Sequence, residues 1–376
     1  MEGHHRRTRL RRKDDTVAAL TAALVLVFGL LAAQATPTTQ PVPPQWERWV
    51  PLAGVVDVVG PRPDGKLVAV AAGRLHLVDA DDAATAPLGS YAPEGHIAMA
   101  PGLDVAGAGC RFEAGEIYAL EGDAISRVSH DGTPARFVEP PAVDRFTGIA
   151  FDATGRFGNQ LLVAGRKADR TVLFSIDCRG RLKTLTETAP PMEGGMEVAP
   201  QMFGNHGGDL IGADETSGDV IFVRYDGTSG VLIRPDLPAG PDVGVRSVGF
   251  TPPGFIGRGG TAYVAGADAL WRLTEDRFSQ VAIDENDLIV ATKTGRTTVV
   301  RCRATCRTFP FGDAAGADIE GHVTVVLGPA PPPVPKAGAQ GTAIFAIVTA
   351  VIVAGGFILY FVHDRRKVRI PEPEGR

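Results

Sequence analysis

Between Trp46 and Leu327 the chain repeats itself, and the repeat decides most of what it can fold into. The period is roughly 40 to 50 residues, which is the length of one propeller blade. Each unit holds a short apolar strand, a tight polar turn and a second strand. Ala124-Ile125-Ser126-Arg127-Val128 runs through Asp131-Gly132-Thr133 to Ala135-Arg136-Phe137-Val138, and Val220-Ile221-Phe222-Val223 runs through Asp226-Gly227-Thr228 to Val231-Leu232-Ile233. Asp-Gly between alternating apolar residues is a strong local hairpin signal. Equivalent hairpins start at Arg74, Thr171, Ala269 (reaching Phe278-Ser279-Gln280-Val281) and Thr298. Further strands precede them: Leu67-Val68-Ala69-Val70-Ala71, Glu116 to Leu120, Gln160 to Gly165, Asp209 to Asp214, Thr261 to Gly266 and Asp287 to Thr292. Ahead of most lies another short strand, as in HIAMAP, GIAFD, MEVAP and VGFTP. Four strands per unit and six units predict an all-β, six-bladed β-propeller. The strand at Glu320 to Val326 also reads as the first strand of a blade, which keeps a seven-bladed ring open.

The middle units share a loop as well as strands. FDATGRFGNQLLVAG, VAPQMFGNHGGDLIGAD and FTPPGFIGRGGTAYVAG each place Phe-Gly or Phe-Ile-Gly ahead of the second strand. In this the body resembles the NHL-repeat and gluconolactonase-like group of six-bladed propellers. That resemblance implies a metal held in the central channel, and with it lactone or ester hydrolysis.

Both ends of the chain differ from the body. Thr16 to Ala35 is an apolar run of about 20 residues, long enough to cross a bilayer as a helix. Its basic approach and the Ala33-Gln34-Ala35 triplet fit a cleaved signal peptide; its length favours a retained signal anchor. Thr342 to Val362 carries no charge and is followed at once by His363-Asp364-Arg365-Arg366-Lys367, a stop-transfer pattern that puts the tail in the cytoplasm. The expected organisation is therefore a basic cytoplasmic segment 1–15, a hydrophobic helix 16–35, a Pro-rich linker 36–45, an extracytoplasmic propeller 46–327, a Pro/Ala/Gly-rich stalk 328–341, a transmembrane helix 342–362 and a basic tail 363–376. The expected partners are the cytoplasmic membrane and a protein or cell-wall component.

Charge follows the same division. Eleven of the 38 basic residues crowd the two ends, which leaves 27 basic against 37 acidic residues between them, a net charge of −10. Such a body lacks the basic footprint that nucleic acid requires. The four cysteines, Cys110, Cys178, Cys302 and Cys306, contain no CxxC pair, and in an extracytoplasmic body they point to disulfides. Cys302 and Cys306 bracket a hairpin turn; Cys110 and Cys178 remain to pair with each other.

Candidate binding residues gather at the starts of blades. Glu94-Gly95-His96, Glu193-Gly194-Gly195 and Glu320-Gly321-His322 recur just before an apolar strand, Glu197 sits inside one, and His206 lies in the loop that follows. First strands line a propeller's channel, so Glu94, His96, Glu193, Glu197, His206, Glu320 and His322 form the candidate ligand-binding set. Glu197 and His206 are the first candidates for a divalent cation such as calcium, which hard oxygen donors hold best. Alternatively, Glu-Gly-x only bends the chain into its strand. No nucleophile elbow, zinc-protease helix or phosphate loop is present. The sequence reads first as a ligand- or protein-binding module without a cofactor, second as a metal-dependent lactonase- or esterase-like hydrolase, and third as a structural component of an envelope complex.

Overall fold

The computed structural model describes residues 45–329 except Glu94, Ser279, Ala282 and Ala315. The two hydrophobic runs expected to be helices in the membrane lie outside the described residues. Among the described residues no helix is long and apolar enough to cross a membrane.

Strand pairing resolves the body into six four-stranded antiparallel sheets, the blades. The chain enters at β1 (Glu47–Pro51), which is set aside until the ring closes. Blade 1 is β2 (Val55–Val59), β3 (Leu67–Ala71), β4 (Arg74–Val78) and β5 (Thr85–Pro87). Blade 2 is β6 (Ile97–Met99), β7 (Ile117–Glu121), β8 (Ala124–Val128) and β9 (Pro134–Val138). Blade 3 is β10 (Arg145–Phe151), β11 (Leu161–Lys167), β12 (Arg170–Ile176) and β13 (Leu182–Ala189). Blade 4 is β14 (Met196–Val198), β15 (Leu210–Asp214), β16 (Asp219–Val223) and β17 (Ser229–Ile233).

The last two blades are interleaved. β18 (Val245–Phe250) begins blade 5, but the chain then crosses through the short helix α1 (Phe255–Arg258) into blade 6. There it lays down β19 (Gly260–Gly266) and β20 (Ala269–Leu273). A second short helix, α2 (Glu275–Phe278), returns it to blade 5 for β21 (Leu288–Thr292), β22 (Arg296–Cys302) and β23 (Cys306–Asp313). Finally β24 (Ile319–Leu327) supplies the inner strand of blade 6, and β1 supplies its outer strand. Each successive blade packs its inner strand on the next, and β24 packs on β18 and β2, which closes the ring.

This corrects two expectations. VGFTP does not pair with the Thr261 strand; Val248 faces Val290, in the Asp287–Thr292 strand. The segment from Phe278 to Val281 is not the partner of the Ala269 strand; its first residue ends α2, and β1 takes that place. A strand and a helix turn share the same apolar residues, and local sequence does not say which blade a hairpin joins. The Glu320 strand is the missing first strand of the sixth blade, so the ring has six blades.

The second strands are mostly apolar because neighbouring blades cover both faces. β3, β15 and β21 are buried at every position. The phenylalanines of the shared loops are core residues too: Phe157, Phe203 and Phe255 are all buried, Phe203 edge-on to Phe250 at 4.9 Å and Phe255 edge-on to Phe278 at 4.9 Å. Edge-to-face packing at this distance adds about 1 kcal/mol beyond burial.

Both expected disulfides are present. Cys302–Cys306 closes the β22–β23 turn, and Cys110–Cys178 ties the β6–β7 loop of blade 2 to the β12–β13 turn of blade 3, with Cα atoms 6.1 Å apart. No described cysteine is free.

Candidate functional site

The six inner strands β2, β6, β10, β14, β18 and β24 surround the axis, and a side chain bolts that axis shut. Asp57 stands in the apolar strand β2 and is fully buried. Its carboxylate accepts backbone N–H groups from Ile97 of blade 2 at 2.9 Å and from His322 of blade 6 at 2.8 Å. The imidazole of His322 adds a third contact, Nδ1 lying 2.9 and 3.0 Å from the two carboxylate oxygens. Its Nε2 reaches across the axis to the carbonyl of Ile149 in blade 3, at 3.0 Å. Four blades thus meet at one ion pair.

With acceptors on both ring nitrogens, His322 is held as the doubly protonated cation. Burial alone would favour the neutral ring. The Asp57 charge and hydrogen bond, the nearby Glu197 charge and the Ile149 carbonyl outweigh it and raise its pKa. Burial likewise opposes ionisation of Asp57, but His322 and His96 hold that carboxyl well below the usual range.

The glycine of Glu320-Gly321-His322 is needed for this contact. Gly321 has φ of +71°, and a Cβ there would collide with Asp57 Oδ1 and the Val56 carbonyl. A Cβ on Gly195 would collide with the carbonyl of Gly321 across the axis. Glu-Gly therefore bends the chain, as the plainer reading held, and also lets inner strands approach each other where a side chain would keep them apart.

On one side of the bolt the axis opens into a cup of about 680 Å3 lined from all six inner strands. Its wall is largely apolar, with Val59, Met99, Phe151, Val198, Val323 and Val325 among its residues, and Glu197 and His322 bring ionisable groups into it. A mostly apolar cavity of this size with a few convergent polar groups is the usual form of a small-molecule site. Glu197 Oε2 accepts the backbone N–H of Phe250 at 2.8 Å, and its second oxygen has no partner among the described residues. Burial pushes its pKa up to about 7, against the Phe250 hydrogen bond and the His322 charge. Near neutral pH its carboxyl is therefore divided between a donor form and an acceptor form.

At the opposite end lies a network of charges. Arg145 pairs with Glu193 at 2.7 Å, and Arg246 contacts both Glu320 (3.1 Å) and Glu215. Burial raises Glu215 and Glu320, Glu193 adds repulsion at Glu215, and Arg246 opposes the rise at both.

The structure therefore separates the residues singled out from sequence. Glu197 and His322 share the cup. Glu193 and Glu320 lie in the charge network at the other end, and His96 stands beside Asp57 at 3.5 Å. Glu94 lies outside the described residues. His206 ends a 3-10 turn after β14, bonded to Asp209 at 2.9 Å and tilted against Phe222 with ring centroids 4.7 Å apart, outside the cup. The residues that sequence reasoning missed are Asp57, Arg145, Glu215 and Arg246. Asp57 had a signal: a lone carboxylate within Val55-Val56-Asp57-Val58-Val59 demands a buried partner.

Among the described residues no three His, Cys, Asp or Glu side chains are grouped to hold a metal. The donors present do not fit one. His322 has both nitrogens engaged, Glu193 and Glu320 are paired with arginines, and Glu197 and His206 are apart. The carboxylates expected to need a cation already have Arg145 and Arg246.

The pairing pattern defines a six-bladed β-propeller with a closed axis and a one-sided cup. No known family matches the sequence, and no curated protein does either. Similar solved structures include regucalcin, a calcium-binding protein of Agrobacterium tumefaciens. It is 10% identical, with 80% of this chain and 92% of that one covered and a TM-score of 0.49. A luciferin-regenerating enzyme is 11% identical over 74% of this chain and 83% of its own, TM-score 0.46. Virginiamycin B lyase from Staphylococcus aureus is 11% identical over 71% and 89%, TM-score 0.38.

Proposed function

We propose that this protein is a binding module, tethered to the outer face of the cytoplasmic membrane, whose axial cup takes a small, largely apolar ligand with one hydrogen-bonding group. The observation that carries the reading is the free oxygen of Glu197 in an otherwise apolar cup. An apolar ligand gains roughly 25 cal/mol per Å2 buried there. Its single polar group offsets the cost of covering Glu197 by bonding to it. Support for the location comes from the two disulfides, which persist in oxidising compartments. The uncharged run Thr342 to Val362 with its basic flank supports the tether. The hydrolase reading has no comparable support, since the cup holds neither a cation site nor an activated nucleophile among the described residues.

Two measurements test the proposal. Reporter fusions after Lys336 should report an extracytoplasmic location and fusions after Arg369 a cytoplasmic one; the reverse would reject the topology. Titration with the apolar dye anilinonaphthalene sulfonate should show one saturable site. That site should vanish in Ala153→Trp, which fills the mouth of the cup from an exposed position. An unchanged titration, with native circular dichroism, would reject the cup as the site.

A further inference from the structure

Six polar residues line the cup, and four of them are already engaged or open to water. The Thr154 hydroxyl donates to Asp152 at 2.8 Å, and the Thr324 hydroxyl donates to the Val58 carbonyl at 2.7 Å. Both ring nitrogens of His322 are taken, and Gln201 is exposed to solvent. Glu197 and Asn286 remain. Asn286 is only 8% exposed, and its carboxamide oxygen is buried with no hydrogen-bond partner among the described residues. A buried acceptor left unpaired costs its full desolvation. In the wall of a cavity, such an oxygen points to a donor that arrives with a ligand.

The fold sets Asn286 beside Glu197. Glu197 Oε2 accepts the N–H of Phe250, and the carbonyl of the next residue, Thr251, accepts the N–H of Asn286 at 2.9 Å. Thr251 is fully buried and is clamped by Asp287, whose N–H bonds to its hydroxyl and whose carbonyl accepts its N–H, both at 2.9 Å. Asp287 is pinned in turn by Arg301. Asn286 has φ of +65°, a left-handed conformation that asparagine adopts more readily than most residues. Both polar groups are thus fixed to consecutive residues at the end of β18.

Charge narrows the donor. Among the lining residues only Glu197 and His322 carry ionisable side chains, and Asp57 already balances His322. An ionised Glu197 has no counter-ion in the lining, so the cup favours a cation and disfavours a carboxylate. A hydroxyl supplies one proton and leaves one of the two acceptors unpaired. Calcium takes about six to eight oxygens, more than this pair provides. An ammonium with two or more N–H groups satisfies both acceptors and carries the matching charge. From this geometry we infer that Glu197 and Asn286 form the polar end of the site and that its ligand is an apolar primary or secondary amine bound as the ammonium, an assignment that rests on the cup being the binding site proposed above. The apolar body of the amine lies along the wall of Phe151, Val198, Val323 and Val325.

The test is calorimetric titration of the purified full chain at about pH 8, where alkylamines stay cationic and Glu197 is mostly ionised. The probes are phenethylamine, its N,N-dimethyl derivative, phenethyl alcohol and hydrocinnamate, which share one apolar body. Phenethylamine should bind at a single site that Ala153→Trp removes, about tenfold more tightly than the alcohol or the carboxylate. The dimethyl derivative has the same charge but one N–H, and should bind several-fold more weakly than phenethylamine. Glu197→Gln should bring phenethylamine down to the affinity of the alcohol. Asn286→Gly keeps the left-handed backbone and should erase the difference between the two amines; a difference that survives it would overturn the part given to Asn286. Alcohol or carboxylate binding as tight as that of the amine, and still abolished by Ala153→Trp, would overturn the amine and leave the cup standing. If no probe shows binding that Ala153→Trp removes, the cup itself is overturned as the site.

Discussion

Replacing Glu197 with glutamine isolates the one ionisable group that the cup leaves unpaired. Glutamine keeps the shape and the carbonyl oxygen that accepts the Phe250 N–H, and removes only the ionisation. In the folded protein the Glu197 carboxyl titrates at about 7, against an ordinary value of 4.5. Each tenfold change in proton affinity corresponds to about 1.4 kcal/mol, so charging Glu197 in place costs the fold about 3 kcal/mol. The direction follows from proton binding. The folded state binds the proton more tightly, so the contribution is complete below the unfolded value and is lost as pH rises through about 7. Wild type and Glu197→Gln should therefore be nearly equal in stability at about pH 4. By about pH 9 the variant should be more stable by about 3 kcal/mol. Urea unfolding of the purified protein, followed by the fluorescence of Trp46, Trp49 and Trp271, reads the difference directly. His322 also loses stabilising protonation as pH rises, since its pKa is raised; the Asp57 and Ile149 part of that rise is common to both proteins, and the smaller part from the Glu197 charge goes with the substitution. Parallel pH curves for the two proteins would refute the claim that Glu197 is enclosed and uncompensated.

Two other perturbations test the frame around the cup. His322→Phe removes the cation from a fully buried Asp57 and should cost about 3 to 5 kcal/mol in chemical denaturation. Because His322 accounts for much of the depression of Asp57, the variant should also lose stability at a higher pH during acid titration than wild type does. The disulfides should differ in weight. Cys110–Cys178 closes a loop with a sequence separation of 68, so the paired serine variant should lose about 4 kcal/mol in the chain-entropy account. The separation of 4 at Cys302–Cys306 predicts a loss of about 2 kcal/mol for the corresponding variant. Equal losses from the two would argue against loop closure as the source.

The sequence alone was enough for the propeller class and most of its hairpins, and the reason is periodicity. A blade is a local object: its hairpins turn at Asp-Gly or a similar pair, and its second strand is mostly apolar because a neighbour covers each face. Those signals sit within one repeat, so six units, their middle strands and both cysteine pairs are readable from residue order.

What tertiary structure decided lies where distant parts of the chain meet. β19 and β20 sit in blade 6, between β24 and β1, although the hairpin is embedded in the sequence of blade 5. Pairing energy is the same whichever edge a strand joins, so only closure of the ring selects the partner. The Glu-Gly repeats look alike in sequence, yet one leads His322 into a bolt across the axis and another leaves Glu193 in an ion pair with Arg145. The difference is set by Asp57, which is 265 residues away from His322 in the chain. Glu197 and Glu193 are four residues apart and lie in different environments, one in an apolar cup and one in a salt-bridge network. Residue type and spacing determine that a carboxylate will stand near the axis. Whether it is desolvated or paired with a cation depends on which strands fold against it, and that is a property of the closed ring.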